Sequence, residues 1–223
     1  MQHSSVVGGS TAKRVINCPG SVRLALAAPP KASSRDADKG SLLHNVIAAH
    51  LDSGEPLESF IGTTYGSATL TEDMIEDKLR PALEALNEID PDHALDFVVE
   101  RRVEFGSYLP NVFGSCDLIG RVGERAVVLD WKFGDGVMVE VEENEQLMFY
   151  AAAAIRTPGM EWIFDGATEV ECVIVQPPFV KRWTTTPERI KRFEAQLKLA
   201  VREAERAEAL LATGEHCRWC PAK

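Results

Sequence analysis

One stretch, from Val112 to Tyr150, constrains the fold of this chain more than any other. VFGSCDLIG, which holds Asp117, is followed by VGER and then by VVLDWKFGDG, which holds Asp130. Both runs are apolar and rich in β-branched residues, the signature of strands. A two-residue turn at Gly123-Glu124, with glycine at the first central position as in a type II′ hairpin, pairs Val122 with Arg125 and Arg121 with Ala126. Carried back, that register sets Asp117 opposite Asp130. Side chains directly opposite on an antiparallel pair lie about 5 Å apart at Cβ, so two carboxylates leave one sheet face at a separation suited to a shared divalent cation. Lys132 falls on the same face by strand parity. Burying two acids and a lysine among Val, Leu and Ile is costly without charge compensation, which a metal ion supplies. The plainer alternative is a Lys-Asp ion pair on a half-solvated hairpin. Against it stands the next segment, ENEQLMFYAAAAI, an amphipathic helix with Gln146 and Tyr150 one turn apart that makes a second pocket wall.

The remaining pattern sorts into three parts. Residues 1–94 read as helical, 95–186 as the sheet core and 187–223 as a long helix with a cysteine-bearing tail, together one domain. Ser10 or Thr11 caps a first helix running to about Leu26 and interrupted at Cys18-Pro19. A second spans about Lys39 to Leu51 and a third Thr71 to Ile89. From Leu95 the period changes to two, giving ALDFVVERRVEF, NVFGSCDLIGRV and RAVVLDWKF as a three-stranded meander. A helix from about Glu143 to Arg156, the strands TEVECVIVQP and VKRWTTT, and a charged helix from Pro187 towards Gly214 complete the chain.

Composition narrows the class of partner. No run is apolar enough to span a bilayer, and the N-terminus lacks the order of a secretory signal, so the expected location is cytoplasmic. The net charge of −10 argues against a broad nucleic-acid-binding surface. Bases nevertheless gather near the start, including Arg14, Arg23, Lys31 and Arg35, and near the end, including Lys181 and Arg182. These are candidates for phosphate contacts. Five cysteines, an odd number, make no disulfide framework.

Five motifs in order resemble a known family: NCPGS (Asn17 to Ser21), GSLLH (Gly40 to His44), G-x-x-D (Gly114 to Asp117), D-x-K (Asp130 to Lys132) and Q-x-x-x-Y (Gln146 to Tyr150). Together they are similar to the RecB-like branch of the PD-(D/E)XK nuclease superfamily, phage-borne type, related to CRISPR-associated adaptation exonucleases and lambda exonuclease. The resemblance implies an α/β (α+β) fold: a restriction-endonuclease-like core, with a central mixed sheet flanked by helices. It implies a DNA exonuclease using Mg²⁺ or Mn²⁺, with Asp117 and Asp130 as carboxylate ligands, the Trp131 backbone carbonyl as a third and His44 adding a nitrogen. Lys132 would orient the attacking water or stabilise developing charge, while Gln146 and Tyr150 hold Lys132 and the substrate phosphate. Glu100 matches the family's acidic position, but Glu104 competes, because strand parity lets both face the site.

Several relatives of this type carry a [4Fe-4S] cluster that pins the chain ends together. The resemblance makes Cys18, Cys217 and Cys220 three of its ligands. A fourth is missing, since Cys116 and Cys172 lie within strands as small core residues and such a cluster needs four thiolates. The alternatives are a damaged or absent cluster, zinc with an outside ligand such as His216, and a pair of free thiols at a frayed terminus. The expected partners are linear DNA ends and a single-strand annealing or single-strand-binding protein, in a host cytoplasm if the chain is phage-encoded. The rival readings are a structure-specific or restriction-like endonuclease and a non-catalytic DNA-binding module.

Overall fold

A computed structural model describes residues 4, 6–29, 32–134 and 136–223. The chain opens with two short helices, α1 (Ala12–Asn17) and α2 (Ser21–Ala27), broken at Cys18-Pro19 as the proline requires. α3 (Arg35–Ser53) begins a turn earlier than the apolar period suggests, because Ser34 accepts the Ala37 N–H, and it ends at Gly54 in the left-handed conformation. A hairpin too short to show in the apolar periodicity, β1 (Thr64–Tyr65) and β2 (Ala68–Thr69), follows. The third helix is capped by Thr71 and runs as α4 (Glu72–Met74), a π-helical turn (Ile75–Leu79) and α5 (Arg80–Ile89). Pro81 has no N–H to give the preceding turn, and the wider turn sits just ahead of it.

Next come β3 (Asp96–Glu104), β4 (Phe113–Val122), β5 (Arg125–Trp131), α6 (Glu145–Ala154), a short α7 (Glu161–Phe164), β6 (Glu169–Gln176), β7 (Phe179–Thr185) and α8 (Pro187–Ala204). The five long strands form one mixed sheet in the order β3-β4-β5-β6-β7, parallel only between β5 and β6, where α6 makes the crossover. Helix, three strands, helix, strand is the core that the resemblance implies. α8 stops well short of Gly214. Its continuation turns back along α2 instead, with Gly20 N–H on the Leu210 carbonyl at 2.9 Å and Arg23 on the Ala207 carbonyl. No helix among the described residues is long and apolar enough to cross a membrane.

β5 is buried on both faces. Ala126 and Val128 point into a core shared with α6 and α8, while Val127, Leu129 and Trp131 point into a second core shared with α3 and α5. Such a strand loses the alternation of polar and apolar residues and shows a continuous apolar run. The Gly123-Glu124 turn and the register Val122↔Arg125 through Leu118↔Leu129 are as the hairpin arithmetic predicts, with Gly123 at φ 57°.

Candidate active site

The β4–β5 ladder ends at Leu118↔Leu129, which leaves Asp117 and Asp130 as the first positions beyond it. There the strands part, and side chains from both helical layers meet through the opening. Asp117 Oδ2 accepts the Trp131 N–H at 2.7 Å, satisfying a donor that the ended ladder would otherwise orphan. From α3 comes His44, its Nδ1 3.3 Å from Asp117 Oδ2 and 3.8 Å from Glu100 Oε1. α6 supplies Gln146 and Tyr150 from the opposite layer.

Glu100 reaches this place through an irregularity. Its backbone takes φ 46° in the middle of β3, a conformation costing roughly 1–3 kcal/mol for a residue with a side chain. Across that residue the strand's parity switches: Val98 and Val103, an odd number of positions apart, both face the α6 core. The same switch occurs in β4, where Cys116 faces one core and Leu118 the other. Strand parity therefore fails to put Glu100 and Glu104 on one face. Glu100 lines the cavity and accepts a hydrogen bond from Ser115 Oγ at 3.1 Å, whereas Glu104 lies outside it, paired with Arg102 at 3.2 Å.

His44, Glu100 and Asp117 each offer a ligand atom within 4.8 Å of the others, a group able to hold one metal ion. Asp130 stands beside this group rather than inside it. Its Oδ1 accepts from Gln146 Nε2 at 2.7 Å, and its Oδ2 is fully buried against the Lys132 ammonium at 2.6 Å, with no well-directed hydrogen bond. Lys132 donates to Gln146 Oε1 at 2.9 Å, and Gln146 Nε2 also donates to the Tyr150 hydroxyl at 2.9 Å. Trp131 buries its indole in the second core and meets the site through its N–H.

The protonation states follow from burial and crowding. Burial raises the Asp117 carboxyl well above its ordinary value, reinforced by Asp130 and Glu100 and opposed by the Trp131 N–H and Lys132. Burial and Asp130 likewise raise Glu100. Desolvation pushes the His44 imidazole down to about 4, so it is neutral at pH 7 with a lone pair to give. For Lys132, burial works against the charge, but Asp130 in contact and Asp117 behind it outweigh it and raise the ammonium. Three carboxylates thus share one cation. That excess is what a divalent ion would balance.

The cavity, about 530 Å³, also takes in a wall that the motifs did not reveal: Gly8, Gly9, Ser10 and Thr11 from the N-terminal segment, Ser41 and Asn45 from α3, and Tyr65. Ser41 and Asn45 flank His44 on its helix, a signal available in GSLLHN. The glycines have a steric reason. A Cβ on Gly9 would overlap the Tyr150 ring, and one on Gly114 would come within 3.1 Å of it. The first residue of the G-x-x-D motif thus makes room for the last residue of Q-x-x-x-Y.

Most of the predicted phosphate contacts lie elsewhere and are occupied. Arg14 donates to Ser21 Oγ at 2.8 Å, Arg23 ties α2 to the tail, Lys181 pairs with Glu140 at 2.6 Å and Arg182 pairs with Glu171 at 2.6 Å. Arg35 is exposed near the β1–β2 hairpin, and Lys31 lies outside the described residues. These bases were read from local density of charge, which carries no information about which acids fold against them.

The chain ends do converge. Ala212 N–H approaches Cys18 Sγ at 3.4 Å, Cys217 Sγ approaches the Ala212 carbonyl at 4.0 Å, and His216 contacts that carbonyl at 3.0 Å. Among the described residues, however, the sulfurs of Cys18, Cys217 and Cys220 do not close into a ligand group as the His44 set does. Cys116 and Cys172 are buried strand residues.

Fold and site together define an α+β protein with a carboxylate–imidazole pocket opened where two central strands part. The chain belongs to the family described as "Protein of unknown function (DUF2800)", whose model matches residues 3–223. Among solved structures it is similar to SSO0001, at 12% identity over 95% of this chain and 91% of that one, with a TM-score of 0.36. It is also similar to an alkaline exonuclease (LHK-Exo) from Laribacter hongkongensis, at 12% identity over 91% and 89% with a TM-score of 0.39. The complex of LHK-Exo with dAMP matches at 13% identity over 87% and 90%, with a TM-score of 0.34.

Proposed function

We propose that this protein is a divalent-metal-dependent DNA nuclease, of one domain, that hydrolyses phosphodiester bonds at DNA ends for phage recombination or DNA processing in the cytoplasm. The observation that carries the reading is the imbalance at one cavity: Glu100, Asp117 and Asp130 against Lys132 alone, beside a neutral imidazole. His44, Glu100 and Asp117 would hold Mg²⁺ or Mn²⁺, carboxylate oxygens suiting either ion and the imidazole nitrogen admitting Mn²⁺. Such an ion, when bound, neutralises charge on the scissile phosphate and makes a water more acidic.

The protein's own groups do the rest. Lys132 keeps its proton beside Asp130 and is placed to balance negative charge that develops on phosphate. Gln146 clamps Lys132 and Asp130 at once, so neither side chain has to reorganise during reaction. Tyr150 accepts from Gln146, which leaves its own phenolic proton for a phosphate oxygen. For the cysteines at the converging chain ends the reading is a metal or [4Fe-4S] site built on Cys18, Cys217 and Cys220. Iron, sulfide and zinc analysis of the purified protein tests it, and finding none of the three removes it.

The deciding experiment digests end-labelled linear DNA beside a closed circle, with Mg²⁺, Mn²⁺ or EDTA. Metal-dependent loss of the linear DNA alone is expected. Cutting of the circle would make the enzyme an endonuclease, and no cutting of either would leave a DNA-binding module.

A further inference from the structure

One aromatic ring on the cavity wall has no ring or cation partner among the described residues. Tyr65 lines the cavity with His44 and is 43% exposed. The two other phenylalanine or tyrosine rings on that wall are occupied: Phe113 lies under the Arg102 guanidinium at 3.6 Å, and Tyr150 is buried and bonded to Gln146. Tyr65 makes no ring or cation contact among the described residues. It is the free π-face of an otherwise polar pocket.

Its position is held firmly. Tyr65 pairs with Ala68 across a two-residue turn, Gly66-Ser67, with Gly66 at φ 55°. The buried carboxylate of Asp38 accepts from Ser67 N–H at 2.8 Å, Ser67 Oγ at 2.8 Å and Ser33 Oγ at 2.6 Å, and it packs so close to Gly66 that a Cβ there would overlap it. Ala68 and Leu70 anchor the hairpin in the second core. Asp38 and His44 belong to the same helix, α3, so one rigid element fixes both the hairpin and a member of the metal group. The other side of the hairpin borders a groove with Arg35 and Lys39, neither of which has an ion-pair partner among the described residues.

We propose that Tyr65 stacks on the nucleobase adjoining the phosphate held at the His44–Glu100–Asp117 group, so that the site grips a nucleotide by its base as well as by its phosphate. The proposal deepens the nuclease reading and rests on it. An aromatic face tolerates any base, so the ring confers affinity and position without sequence preference. Arg35 and Lys39, across the hairpin, then meet a phosphate further along the strand.

The test compares two short, fluorescein-labelled single-stranded oligonucleotides that differ only at the terminal nucleotide, a thymidine or an abasic tetrahydrofuran residue. Affinity is read by fluorescence anisotropy in EDTA and in Ca²⁺, and KM and kcat are read with Mn²⁺. The wild type is expected to favour the base-bearing oligonucleotide about 5- to 150-fold in affinity and KM, the range of aromatic stacking. Tyr65→Ala should collapse that preference towards one while leaving affinity for the abasic oligonucleotide unchanged, which a merely structural role for the ring would not do, and Tyr65→Phe should keep the preference. An unchanged preference in Tyr65→Ala, or none in the wild type, overturns the proposal. Binding without hydrolysis would defeat the nuclease reading while the affinity comparison still decides Tyr65, and failure to bind either oligonucleotide defeats both.

Discussion

Two buried carboxylate systems stand on this sheet, and they are balanced differently. On β6, Glu171 is buried between two arginines, Arg182 at 2.6 Å and Arg125 at 3.3 Å, so that two cations face one charge, although its Oε2, like Asp130 Oδ2, has no well-directed hydrogen bond. At the parted ends of β4 and β5, Glu100, Asp117 and Asp130 share Lys132 alone. Burial is equal in kind; the complement is not. A buried acid supplied with its own cations has a structural explanation, while acids in excess of cations in an open cavity are held there for something that arrives from outside.

The comparison breaks most visibly in activity. Lys132→Ala should lower kcat on linear DNA by about 10²- to 10³-fold, the cost of losing one preorganised charge at a reacting phosphate. Glu171→Gln should leave kcat within about twofold, since that residue touches nothing in the cavity. Rates for the two variants that fell together would erase the distinction.

Stability should move in opposite directions. Glu171→Gln leaves two arginines facing a neutral amide, a loss of about 1–2 kcal/mol once their partial exposure is allowed for, or a Tm lower by about 3–6 °C. Asp117→Asn can still accept the Trp131 N–H but removes a crowded charge. In the metal-free protein at pH 8 it should raise Tm by about 2–4 °C and abolish any further rise on adding Mn²⁺. Scanning calorimetry with and without EDTA measures both.

The pH dependence sharpens the contrast. Asp117 and Glu100 have folded-state values raised above their ordinary 3.8 and 4.5, so the folded protein keeps protons that the unfolded chain has released. Their contribution is present at low pH and lost as pH rises from those ordinary values through the raised ones. His44 runs the other way: with its value lowered from 6.5 to about 4, it costs stability as pH falls through that window. Above pH 6.5 the His44 contribution is complete, so the site gives metal-free Tm no further rise with pH, and Mn²⁺ affinity should not fall as remaining carboxyl protons leave. A titration of Mn²⁺ binding between pH 6 and 8 that showed affinity falling would contradict the assignment of these ligands.

The smallest effect belongs to the bases tied to acids. Lys181→Ala should change DNA affinity by less than about twofold, because Glu140 already holds that ammonium. A larger loss in an anisotropy titration would restore the C-terminal cluster as a contact surface.

Much of the site could be read along the chain, and the reasons are local. The hairpin register needs only a two-residue turn and a period of two, and Q-x-x-x-Y needs only one helical turn, so the proximity of Asp117, Asp130 and Lys132 and the stacking of Gln146 on Tyr150 were legible. Glu100 was not separable from Glu104, because a single left-handed residue resets parity and nothing in ERRVE announces it. Tyr65 carried no signal at all, as its hairpin is too short for periodicity and is held by a carboxylate far back in the chain. The early end of α8 was hidden for the same reason: the residues beyond Ala204 are good helix formers that instead lie along α2.

The amino-acid sequence by itself determined the strand pair that carries the two aspartates and the lysine, since turn length and alternation fix its register from Val122↔Arg125 to Leu118↔Leu129. The tertiary structure alone decided which acids are left without cations. Glu171 meets its arginines across β5, β6 and β7, and His44 meets Glu100 and Asp117 across the gap between helix and sheet. Charge balance at a buried site is a sum over neighbours from distant segments, and only packing brings those neighbours into range of one another.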